Sequence, residues 1–230
     1  MTQTMTRSLH EMRFPNESPA YRRERDALLD AEMALRRQVE AVAALRRALP
    51  PGGTLKEDYL FEEGAQARPV RMSALFGDKP ELVVYSFMYG PNVEQPCPSC
   101  TSIIDSLDGA APHVAQRTNL VVVAKSPISR FLAFADERHW TRVRLLSSAG
   151  NSYNADYHAE DAKGAQWPVL NVFTRHDGVI RHAYATELMF APREPGQDPR
   201  HVDMIWPLWN LLDYTPEGRG AEFRPKLSYA

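Results

Sequence analysis

Cysteine is nearly missing from this chain: of 230 residues only Cys97 and Cys100 carry a thiol. So few cysteines exclude a disulfide framework as the source of stability. Two cysteines placed at random in a chain this long would fall three apart roughly one time in a hundred, so the spacing needs a reason. Also missing is any run of the roughly 18 apolar residues that a membrane-spanning helix needs. Met1 to Asn16 holds no apolar signal core, so a cytoplasmic location without membrane association is expected. Charge of one sign is not in excess: 27 basic against 29 acidic side chains leave a formal charge of −2. That balance removes nucleic-acid binding by bulk electrostatics, while 43% hydrophobic residues suffice for a core. No Walker loop, no Gly-x-Gly-x-x-Gly after a strand, no Gly-x-Ser-x-Gly elbow and no His-Glu-x-x-His occurs. Nucleotide-dependent, serine-hydrolase and zincin chemistry therefore lack their usual parts, and no cofactor is expected.

The segments that are present alternate between helix and strand. A helix is predicted from Ser18 to Leu49, with Ser18 as cap, Pro19 in the first turn and Pro50-Pro51-Gly52-Gly53 as stop. Its apolar stripe of Leu28, Leu35, Val42 and Leu49 must pack, either on its own domain or on a second copy in a homodimer. Leu82 to Tyr89 and Asn119 to Ala124 read as strands buried on both faces. Between them a helix follows the cysteines and is interrupted near Gly109; Ile128 to Arg138 forms another helix, and Arg142 to Ser147 a short strand. Val169 to Phe173 and Val179 to Tyr184 form a hairpin about Asp177-Gly178, which makes the sheet mixed. A polar loop reaches Arg200, and a helix runs from Val202 to Leu212 with Trp206 and Trp209. The expected organisation is a helical extension over 1–53, an α/β domain over 54–190 and a C-terminal helical extension over 191–230 packed on the same domain.

If Cys97 begins the helix that follows it, unsatisfied N–H groups and the positive end of the dipole favour its thiolate and make it a nucleophile. Cys100, almost one turn further, could then resolve a mixed disulfide. Pro98 presets the turn and Ser99 keeps a hydroxyl near the sulfurs. The same pair is also half of a zinc site that His113, His158, His176 or His182 could complete, but one pair without a second at finger-like spacing is a weak metal signal, and no metal is assigned. Tyr153, Asn154, Asp156, Tyr157 and His158 either pack a loop or line a pocket at the cysteine end of the sheet.

This order of a buried strand, Cys-Pro-Ser-Cys opening a helix, βα and a proline leading a hairpin resembles the thioredoxin superfamily. Tyr85 to Gly90 followed by Cys97 to Thr101, the hairpin Val172 to Gly178, Arg181 to Thr186 and Leu212 to Arg219 are similar to the bacterial thioredoxin-like family DUF899. The resemblance implies a thioredoxin-like fold and a dithiol–disulfide oxidoreductase with Cys97 and Cys100 catalytic. Its partners would be a protein or small-molecule disulfide as substrate and a separate reductase as electron donor. It also implies that Pro168 is a cis-proline facing the cysteines, with Trp167 before it, where a smaller residue is usual. A non-catalytic binding or assembly module is the rival reading. The strand Leu82 to Tyr89 holds no carboxylate to match the buried acid of thioredoxins, and Glu94, Tyr85 and His158 are the candidate substitutes. Peroxiredoxins place Thr or Ser three residues before the peroxidatic cysteine; Glu94 stands there in this chain, which argues against a peroxidase.

Overall fold

The structure, a computed structural model, describes residues 9–192, 194–195, 203–220 and 223–229, and divides them into two compact units between Pro50 and Pro51. The first unit is built on helix α1, Pro19–Arg47. The Ser18 hydroxyl accepts the Tyr21 N–H at 3.1 Å, and Arg46 and Arg47 occupy the last turn, where cations complement the helix dipole. Arg22 ties the first turns together through Glu17 at 3.5 Å and Asp26 at 3.0 Å. Leu28, Leu35 and Leu49 of the predicted stripe are exposed in the single chain.

The second unit is a seven-stranded sheet. A hairpin of β1, Leu60–Glu63, and β2, Arg68–Arg71, precedes a 3₁₀ turn over Met72–Phe76. Then come β3 (Glu81–Phe87), α2 (Pro98–Val114), β4 (Asn119–Ala124), α3 (Ile128–Arg138), β5 (Arg144–Ser147), the single turn α4 (Tyr153–Asp156) and the hairpin β6–β7 (Leu170–His176, Val179–Ala185). After a 3₁₀ turn over Asp203–Ile205, α5 (Pro207–Leu212) is the last regular element among the described residues. The strands lie in the order β2-β1-β5-β4-β3-β6-β7; β3, β4 and β5 are parallel, and β6 and β7 are antiparallel to their neighbours. Within it, β4-β3-β6-β7 with its βα crossover and following hairpin is the thioredoxin-like core. Parallel crossovers share one hand, so two successive ones moving in the same direction across the sheet put α2 and α3 on the same face. Residues of both helices accordingly join Tyr85, Phe87 and Val122 in one core, while Val84, Val121, Tyr59, Phe61, Tyr153 and Phe173 form another.

Three expectations are corrected here. α2 is continuous through Gly109 and contains Pro112, because Ile103, Ile104 and Ala111 bury one face and that packing outweighs local propensity. The predicted helix from Val202 is broken at Trp206 by Pro207, and its first residue, with the loop over 196–202, lies outside the described residues. The Trp167–Pro168 peptide is trans: the Trp167 N–H reaches Ala159 O at 2.9 Å and Val169 O accepts from Ser86 at 2.8 Å, so the segment meets β3 in the intrinsically favoured isomer.

Candidate active site

Cys97 is the N-cap of α2, with extended backbone angles, φ −63° and ψ 121°. Pro98 fits the first helical position, where its missing N–H costs no bond. The Cys97 N–H donates to Met88 O at 3.1 Å, which fastens it to the carboxyl end of β3, while its carbonyl receives the Thr101 N–H and hydroxyl at 3.0 and 2.9 Å. The two thiols are free, Cys97 half-buried and Cys100 buried at 1% exposure. Their acidities are driven apart. The Cys100 thiol, followed by the backbone N–H groups of Cys100 and Ser99 and the Ser99 hydroxyl, holds Cys97 down from 9.0 to about 6 despite its burial. Burial first, and then the Cys97 sulfur it donates to, push Cys100 well above the usual thiol range.

The loop between β3 and α2 is held by a residue the sequence reading passed over. The Arg130 guanidinium lies 4.5 Å from the centre of the Tyr89 ring and donates to four carbonyls: Gly90 at 3.4 Å, Pro91 at 3.3 Å, Glu94 at 2.7 Å, and Val93. Its place in the first turn of α3 sets a cation against the helix dipole, and that local violation is the signal by which sequence could have found it. Trp206 donates its indole N–H to the hydroxyl of Ser102, two residues past Cys100, at 2.7 Å, and packs with Cys97 against the same core.

Trp167 and Pro168 lie between two points fixed on the same strand end. Val169 is bonded to Ser86, and Gly90 sits so close to the Gln166 side chain that a Cβ there would come 3.1 Å from its Cγ. Trp167 is 38% exposed and turns its ring toward Phe190, 6.5 Å away. The polar-aromatic cluster goes elsewhere than a pocket at the cysteine end. Tyr153 is fully buried in the core on the opposite face of the sheet from the thiols, Asn154 joins Ser148 to Gln166, and Asp156 pairs with Lys56 and Tyr59. His182 is half-buried, 2.8 Å from the Asn171 amide oxygen, and burial lowers its pKa. Among the described residues no three His, Cys, Asp or Glu side chains converge as metal ligands, and no helix is long and apolar enough to cross a membrane. Of the three substitutes for a buried acid, Glu94 is exposed, with its backbone oxygen held by Arg130; His158 faces Phe190; Tyr85 alone bears on the thiols.

Residues 12–229 match the family model described as a bacterial protein of unknown function, DUF899. The chain belongs to this family. No curated protein matches this DUF899 chain in sequence. Among solved structures it is similar to the peroxidoxin BcpB of Mycobacterium tuberculosis, with 18% identity over 69% of this chain and 95% of that one and a TM-score of 0.47. A PrxQ of Xylella fastidiosa gives 13%, 71%, 96% and 0.47, and a secreted M. tuberculosis disulfide oxidoreductase homologous to E. coli DsbE gives 14%, 64%, 92% and 0.40. The fold assignment of this DUF899 protein rests on its strand order.

Proposed function

We propose that this protein is a dithiol–disulfide oxidoreductase of thioredoxin-like type. The observation that carries the reading is the division between two thiols three residues apart: a half-buried one held near pKa 6 and a buried one held well above the usual range. At neutral pH that is an accessible nucleophile beside a protonated reserve. The Cys97 thiolate attacks a substrate disulfide, forming a Cys97–substrate bond and expelling the other substrate sulfur as a thiolate that takes up a proton. Cys100 then loses its proton and attacks the Cys97 sulfur. The Cys97–Cys100 bond forms, the Cys97–substrate bond breaks, and the second substrate thiol leaves with a proton. The substrate disulfide is reduced and the dithiol oxidised.

Pro98 and Ser99 shape the site from within the motif, and the segment carrying Trp167 and Pro168 offers backbone and an indole to a protein or small-molecule disulfide. A separate reductase returns the pair to the dithiol, for which a reducing compartment such as the cytoplasm is suited. The test is the rate of Cys97 alkylation against pH, with the equilibrium of the pair against glutathione. A midpoint near 6 and reversible formation of the Cys97–Cys100 disulfide support exchange, and Cys100→Ser should then trap substrates covalently. A midpoint at or above about 8.5, or no disulfide at any glutathione ratio, rejects exchange and leaves a binding module.

A further inference from the structure

Resting on the exchange reaction above, we infer that Tyr85 supplies the hydrogen bond that receives the Cys100 sulfur as it becomes a thiolate and resolves the mixed disulfide. Tyr85 stands near the middle of β3 and is fully buried in the core that also holds Cys100. Its hydroxyl makes no hydrogen bond of ordinary geometry, and a buried hydroxyl without a partner is a cost that a phenylalanine would not incur. The groups acting on the Cys100 thiol are the Cys97 sulfur, the Tyr85 hydroxyl and the Met88 backbone, and apart from the Cys97 thiolate none of them is charged. Against the neutral thiol, Tyr85 gains little. Against a thiolate it becomes a charge-assisted donor inside a dry core, where such a bond is strongest.

The arrangement also says what Tyr85 does not do. Burial and the nearby sulfurs hold its hydroxyl protonated, so it is a donor and not a base. The Cys100 proton leaves with the departing substrate thiol or through water, and Tyr85 stabilises the charge left on sulfur before the new S–S bond forms. Nor does it act on the first attack, since the groups that hold Cys97 down are Cys100 and Ser99.

The experiment compares wild type with Tyr85→Phe in single-turnover reduction of a small aromatic disulfide that releases one chromophoric thiol at each step. The first release should stay within about twofold of wild type, and the second should slow roughly ten- to a hundredfold, the worth of a hydrogen bond to an ionised group. The mixed disulfide on Cys97 should accumulate in the mass spectrum. In a Cys97→Ser background, the ultraviolet thiolate absorbance of Cys100 should titrate at higher pH once Tyr85→Phe is added. Equal slowing of both releases, or a second release at the wild-type rate, overturns the inference. Absence of any Cys97–Cys100 disulfide in wild type would instead refute the exchange reading itself. Because the hydroxyl is unpartnered, Tyr85→Phe should melt no lower than wild type, and a lower melting temperature would contradict the burial argument.

Discussion

Replacing Cys100 by alanine removes the largest of the effects that hold the Cys97 thiol near pKa 6, the hydrogen bond from the Cys100 sulfur. The backbone N–H groups and Ser99 remain, opposed by burial, so the midpoint should rise by at least about one unit. For a full return to 9.0, two effects oppose each other. Three units cost the variant about a thousandfold in thiolate at acid pH, but a more basic thiolate is a better nucleophile, by about 20-fold for a Brønsted coefficient near 0.45. Wild type should then be alkylated about 40-fold faster at about pH 5 and only about fourfold faster at pH 7, while at about pH 10 the variant should be about 20-fold faster. A smaller rise compresses these ratios but keeps the crossing. The assay is iodoacetamide alkylation of the fully reduced proteins, followed by mass from about pH 4.5 to about pH 10.5. Two profiles with the same midpoint would show that Cys100 does not donate to Cys97. Profiles that differ without crossing would refute the balance between thiolate fraction and nucleophilicity.

Linkage gives a second measurement. Cys97 has a depressed folded pKa, so the stability it contributes is fully present above the unfolded pKa of about 9 and is lost as pH falls toward 6. Cys100, raised, loses its contribution only above that range. The advantage of the reduced wild type over Cys97→Ser in urea midpoint should therefore grow from pH 6 to 9, and a flat or falling difference would contradict the shift. Arg130→Met should free the loop over 90–94 and raise hydrogen exchange in the segment from Gly90 to Cys97 roughly tenfold, with Arg130→Lys restoring only part because one ammonium cannot span four carbonyls. Unchanged exchange in Arg130→Met would remove its positioning role. Asp108, 5% exposed, accepts the backbone N–H groups of Arg142 at 2.8 Å and Val143 at 2.9 Å, so Asp108→Ala leaves two donors stranded and should cost roughly 2–4 kcal/mol in urea unfolding. A loss under about 1 kcal/mol would mean that water reaches them.

The segments that read most clearly in the sequence were those where one physical requirement dominates. β4 and α3 end where their apolar patterns end, and β3 is mostly apolar from Leu82 to Phe87, with only Ser86 polar, because both of its faces are covered. The hairpin β1–β2 gives no such pattern: β2 is Arg68-Pro69-Val70-Arg71, an edge strand made of the charges and proline that keep edges from pairing further. In α2 the breakers Gly109 and Pro112 were legible and the burial that overrides them was not. The cysteines advertised themselves by spacing, and the groups that lower Cys97 lie inside the motif, but the Tyr85 hydroxyl that bears on Cys100 and the Arg130 guanidinium that holds the loop come from outside it. Tyr85 is one apolar-looking residue of an apolar strand, and Arg130 meets the loop only because β4 and α3 bring it back to the same end of the sheet. Contacts made across a crossover leave no local period to read.

In the proposed cycle, the coupling between the thiols also supplies the switch from one step to the next. Cys100 is kept protonated by three effects in order: burial, the hydrogen bond it donates to the Cys97 sulfur, and the field of that sulfur's charge. The last two exist only while Cys97 is a thiolate. Once Cys97 is joined to substrate, its sulfur is neutral and a poor acceptor, so both effects vanish together while Tyr85 and the Met88 backbone still favour the Cys100 anion. Consuming the first nucleophile thereby lowers the barrier to making the second. A Cys97→Ala variant imitates that neutral state. Cys100 should therefore titrate below its wild-type midpoint there, read by ultraviolet thiolate absorbance, although it is as deeply buried as before. If burial alone held the proton, the midpoint would not move.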